Sequence, residues 1–269
     1  MERLMMLRLW AKGCAVEAHL NGMCVASVGP EGGCVTLPVH EYTMQGRNRM
    51  SFVAGVLPVT GAAASAQPRR ARGDLAVQVS LALCHTGQSP ADPNVQLLSQ
   101  LSWRPAVDER HDWPFSFSRD VELPVRFPRW RWLDAPTIGL GAALECQVLE
   151  TLQGLALDFH RGDAEPYLQM SRLRTEELAL AYQRSASDWV QGMRDHFQAL
   201  FEAGSLGTVQ PPEPGSFVLR PLADGRLVEP LMPDGSPVLK TEPGADPLQS
   251  QAAWPLRLAQ VEGKLYILR

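Results

Sequence analysis

The chain has 269 residues, 45% apolar and 20% charged, with a formal net charge of −4. That profile excludes a disordered chain and leaves no global basic field to hold nucleic acid or an anionic membrane. No run approaches the ~20 apolar residues of a membrane span, and Leu4–Trp10 is too short for a secretory core and is interrupted by Arg8, so the expected location is the cytoplasm.

The first half reads as short strands and turns. Candidate strands are Met5–Trp10, Cys14–Leu20, Met23–Val28, Cys34–Val39, Met50–Leu57, Leu75–Leu83, Val95–Trp103 and Val121–Val125. Asn21-Gly22 separates two of them, and this dipeptide tolerates positive φ at both central positions of a type I′ hairpin. Gly46-Arg47-Asn48 precedes the strand that carries Met50, Phe52 and Val53. Leu75, Val77, Val79, Leu81 and Leu83 alternate with smaller or polar residues, the pattern of a strand with one buried face. Strands at this spacing predict an all-β sandwich or jelly roll over 1–125. Residues 58–74 read as a surface loop, and its Arg69, Arg70 and Arg72 lack the aromatic stacking partners of a nucleic-acid site.

Three prolines within 123–136 rule out a continuous regular element, so 126–136 reads as a linker. Division at residue 136 gives +2 before it and −6 after it. In the second half, Leu144, Val148, Leu152, Leu155 and Phe159 make a helical stripe that closes at His160-Arg161-Gly162. The basic pair suits the negative helix end, and Gly162 suits the left-handed position beyond it. Asp163 is expected to cap a second helix carrying Leu168, Leu178, Ala181 and Tyr182. A third runs from about Ser187 to Gly204, with Trp189, Met193, Phe197, Leu200 and Phe201 on one side. Hairpins follow. Phe217–Leu222 turns at Asp224-Gly225 into Leu227–Leu231, Pro233-Asp234-Gly235 leads into Val238–Thr241, and Leu256–Val261 turns at Glu262-Gly263 into Leu265–Leu268. Helices and then an antiparallel sheet make an α+β plan for 137–269.

That order, with the ending VEPLMPDGSPVLKTE…WPLRLAQVEGKLYILR, resembles the NTF2-like cone fold over 137–269. The first half, through LNG, LPVHEY and GRNRMSFV, resembles jelly-roll domains in which a Gly-x-Asn turn precedes a core strand. The whole is similar to uncharacterised proteobacterial two-domain proteins with an N-terminal β-sandwich and a C-terminal NTF2-like domain. The resemblance implies a shape and no activity. NTF2-like enzymes place acid–base side chains around an apolar cavity, which directs attention to Glu145, Glu150, Asp158, His160, Tyr167, Arg174 and Tyr182. Spacing sets no two of these carboxylates on one inward face.

The segment RFPRWRW, 126–132, is the most unusual chemistry in the chain. In extended form Trp130 and Trp132 share one side and Arg129 and Arg131 the other. They suit either a contact surface or tryptophans packed between domains with arginines paired to the acidic half. Five cysteines with no CxxC pair argue against a disulfide framework and a zinc site. The ten-residue spacing of Cys14, Cys24 and Cys34 reads as one small residue per successive strand. No metal and no cofactor are expected.

These features favour a non-catalytic bacterial binding or interaction protein, toxin-neutralising or secretion-accessory by analogy. Its partner would be a protein or a small apolar ligand in the cone, with contacts from Trp130, Trp132, Arg129, Arg131, Tyr167, Tyr182 and His160. The alternatives are an isomerase or hydrolase in the cone and carbohydrate binding by the sandwich through Trp103 and Trp113. An edge strand of either sheet could pair across the axis of a homodimer.

Overall fold

The computed structural model describes residues 3–55, 75–85, 87–106, 113–243 and 251–269, with the backbone of 69–70 and 110–111. Two compact units divide them, one reaching Arg129 and the other beginning at Trp130. Residues 126–136, read as a linker, are shared between the two.

The first unit holds β1 (Arg3–Lys12), β2 (Val16–Leu20), β3 (Met23–Val28), β4 (Gly32–Pro38) and β5 (Gly46–Ala54). It continues with β6 (Arg69–Arg70), β7 (Ala76–His85), β8 (Gln96–Trp103), β9 (Arg110–His111) and β10 (Phe115–Leu123). One antiparallel sheet runs β4-β1-β7-β8 and another β10-β5-β2-β3, while β6 pairs with β9. Alternation explains the core. Met5, Leu7 and Leu9 of β1, Val16, Ala18 and Leu20 of β2, and Met50 and Phe52 of β5 meet Val77, Val79 and Leu81 of β7 in one buried cluster. On β7 the other face is buried too, at Ser80, Ala82 and Cys84, where alternation predicted a single buried face. Of the stretch read as a loop, 58–68 and 71–74 lie outside the described residues, and Arg69–Arg70 is a strand.

The second unit holds α1 (Ala142–His160), α2 (Glu165–Met170), α3 (Arg172–Tyr182) and α4 (Ala186–Glu202). The helix expected after Asp163 is two, parted at Ser171, whose hydroxyl donates to the Tyr167 carbonyl at 2.8 Å. Such back-bonding bends helices. Ser185 caps α4 by accepting the Asp188 N–H at 3.3 Å. Six strands follow: β11 (Val218–Leu222), β12 (Leu227–Leu231), β13 (Leu239–Lys240), β14 (Ala253–Trp254), β15 (Leu258–Val261) and β16 (Lys264–Ile267). The sheet order is β11-β12-β15-β16, with β13 paired to β14. A second buried cluster joins Val148, Leu152 and Phe159 of α1, Leu168 of α2 and Phe197 of α4 to Val228, Trp254, Leu258 and Ile267 of the strands.

The chain is therefore mixed α+β, with antiparallel sheets and, among the described residues, four helices. None of these helices is long and apolar enough to cross a membrane. The five cysteines are free. Cys24 and Cys34 sit on successive strands, whereas Cys14 lies in the connection from β1 to β2.

Candidate functional site

Residues 130–132 of the tryptophan–arginine segment are bound into the second unit. Trp130 and Trp132 are 0% and 2% exposed. Arg131 opens a short 3-10 turn. Its N–H donates to Glu177 Oε1 at 2.6 Å, and its guanidinium donates to the Leu173 carbonyl at 3.1 Å and to Glu176 at 2.9 Å. The other oxygen of buried Glu177 accepts from Arg269 Nη1 at 2.5 Å, and the Arg269 guanidinium stands 5.5 Å from the centre of the Trp130 ring. A buried carboxylate is tolerated when it is paired and hydrogen-bonded on both oxygens. This one fastens the segment to α3 and to the last residues of the chain. Arg129 is exposed. A second buried carboxylate, Glu229 on β12, is braced in the same way by Arg220 at 2.6 Å and Arg257 at 3.2 Å.

The remaining candidates do not converge. His160 is exposed at the end of α1, with Nε2 2.6 Å from the Val209 carbonyl. Tyr182 is half-buried with its ring 6.4 Å from that of Trp189. Tyr167 is in the core. Burial pushes its phenol up, and Arg174 partly offsets that. Its ring lies 6.0 Å from Phe159 and 5.6 Å from Phe197, and Trp254 lies 4.8 Å and 5.4 Å from the same two. These four rings pack where the helices meet the strands. Glu145 and Glu150 are exposed on α1. In the first unit Trp103 is 7% exposed and meets Trp113 edge-on at 6.3 Å.

A groove of about 590 Å³ opens on the helical surface of the second unit. Leu168, Val190 and Ala186 supply apolar lining, and Glu165, Arg172, Glu176, Asp188 and Arg194 supply charge. Arg194 grips Glu165 with two bonds, 2.6 Å and 3.1 Å, and so holds its carboxyl below the usual range. Residues so far apart along the chain carry no local signal, so spacing alone does not find this groove.

No protein-family model, no curated protein and no solved structure matches the chain.

Proposed function

We propose that the chain is a non-catalytic binding protein of the bacterial cytoplasm. In this reading a β-sandwich over 1–125 precedes an NTF2-like unit over 137–269, and a protein partner seats on the groove between α2, α3 and α4. Two four-stranded sheets that share one buried cluster support the sandwich. Helices followed by an antiparallel sheet support the NTF2-like unit.

The observation that carries the proposal is a contrast. Phe159, Tyr167, Phe197 and Trp254 pack against one another where the helices meet the strands, while the groove on the helical surface stays open. A pocket for an apolar metabolite is concave and mostly apolar. The lining of this groove is also mostly apolar, but it carries five ionisable side chains, which suits a polypeptide that brings apolar and charged groups together.

The test is affinity capture of cross-linked partners from a bacterial lysate, with wild type beside Asp188→Lys/Gln191→Arg. Both substituted side chains line the groove and are exposed. A partner recovered with wild type and lost with the variant, at unchanged circular dichroism, supports the assignment. Equal recovery by both proteins, or recovery by neither, overturns it.

A further inference from the structure

The outward face of β2 holds chemistry that the binding reading does not use. Glu17 and His19 alternate with Val16, Ala18 and Leu20, which belong to the core, so both lie on the opposite face. On β3, strict alternation would put Cys24 and Ala26 on one face. The pairing slips instead. Ala18 faces Ala26 and His19 faces Cys24, which leaves Val25 as an extra residue. This β-bulge keeps Ala26 in the core cluster and sets Cys24 opposite His19. Bulges re-aim side chains in this way beside functional sites.

The ligand atoms of Glu17, His19 and Cys24 all lie within 4.8 Å of one another. Among the described residues no other trio of His, Cys, Asp and Glu does so. His19 Nε2 stands 3.2 Å from Glu17 Oε2. Two ligands of one tetrahedral ion, bound at ~2.0–2.1 Å, stand about 3.3 Å apart. Nε2 is nonetheless buried and makes no hydrogen bond. The pair thus has the separation of co-ligands without the alignment of a donor and an acceptor. The setting is stiff, because β2 is held on both sides, by β3 and by β5. It lies just beneath the surface, with the Glu17 and His19 side chains half-buried and Cys24 buried.

We propose that Glu17, His19 and Cys24 bind one zinc-class divalent ion through carboxylate, imidazole and thiolate, and leave its fourth position to a water molecule. The donor set decides the metal. Magnesium and calcium take oxygen ligands, whereas one N, one O and one S suit a borderline ion such as zinc. Three protein ligands with one open position is the coordination of zinc sites that act on a small molecule, as distinct from closed structural sites.

The test uses the full chain, stripped with chelator and titrated with Co²⁺ and then Zn²⁺, in a Cys34→Ser/Cys146→Ser background that removes the two exposed thiols. The expected result is one equivalent of cobalt with a thiolate charge-transfer band, displaced by zinc. His19→Gln or Cys24→Ser should weaken zinc binding by more than the roughly 10–100-fold that loss of a supporting outer contact costs. X-ray absorption of the zinc-loaded protein should read one sulfur among nitrogen and oxygen neighbours. That measurement needs no variant, so a misfolded substitution does not blunt it. Absence of stoichiometric binding, a coordination shell without sulfur, or zinc affinity unchanged in both variants overturns the site.

Discussion

Asn48 is 1% exposed and uses every polar atom of its amide. Oδ1 accepts from the Met44 N–H and from Asn21 Nδ2, and Nδ2 donates to the Met44 and Gly46 carbonyls, each at 2.8 Å. Asn21 extends the network. It donates to the Tyr42 carbonyl at 2.8 Å and accepts the Arg49 N–H at 2.9 Å, from a turn position with φ of 51°. Asn tolerates that left-handed conformation better than most residues, and its side chain reaches nearby backbone. Two asparagines thus lock the β2–β3 turn to the entry of β5. Asn48→Ala would leave one backbone donor, one Asn21 Nδ2 hydrogen and two carbonyls without this partner. At about 1 kcal/mol for each such loss, the expected destabilisation is about 4 kcal/mol, read as a lower denaturation midpoint at unchanged slope. Asn48→Asp is nearly isosteric and is expected to cost at least as much, because it swaps two donors for a charged acceptor that faces two carbonyls. A variant as stable as wild type would remove the network from the account of this unit.

At the scale of elements, the turn between β12 and β13 ties stability to pH. Asp234 Oδ1 accepts from the Ser236 hydroxyl at 2.5 Å and from the Ser236 N–H at 2.9 Å, and Lys240 Nζ reaches the same hydroxyl at 2.6 Å. The bonds from Ser236, with a smaller part from the Lys240 charge, hold the Asp234 carboxyl below its ordinary range. A carboxyl lowered by folding stabilises the protein above its unfolded value, about 3.9, and that stability is lost as pH falls through the lower folded value. Asp234→Asn should therefore lower the melting temperature at neutral pH and narrow its gap to wild type below about pH 4. A gap that stays constant with pH would show the bonds to be energetically silent. Such turns were legible from the sequence because their chemistry is local: Pro-Asp-Gly, Asn-Gly and Glu-Gly each sit where the chain reverses. Strand β3 was read at its observed bounds, Met23–Val28, for the same reason. What spacing could not supply was register. Glu177 meets Arg269 across 92 positions, and strict period-2 alternation misses the extra residue that sets Cys24 opposite His19. The cysteines, weighed by their spacing from one another, looked inert. For Cys24 it is the cross-strand neighbour, His19, that brings it into the proposed site.

For the whole molecule, the two buried clusters decide how the chain should come apart. One is built mostly from strand residues and ends with Leu123, and the other begins at Ile138. Each has a large fully buried aromatic at its centre, Phe52 in the first and Phe159 with Phe197 in the second. The segment from Trp130 to Arg131 belongs with the second, since its ring and its N–H are taken up by Arg269 and Glu177. A cut just before Trp130 therefore spares both clusters, whereas a cut at 136 would also part Trp130 from Arg269 and Arg131 from Glu177. Each piece also exceeds the roughly 70–80 residues below which one core seldom sustains a fold. Residues 1–129 and 130–269, expressed separately, should each show near-ultraviolet circular dichroism and a cooperative thermal transition. The piece 137–269 should melt lower than 130–269, because Glu177 and Arg269 would then be buried without the Arg131 N–H and the Trp130 ring. The Glu177–Arg269 pair itself stays intact, and loss of a hydrogen bond to a charged group typically costs about 1.5–3 kcal/mol. If 130–269 and 137–269 melt together, the tryptophan–arginine segment is not part of that unit's stability. If neither piece of the first cut folds, the two clusters are not independent cores.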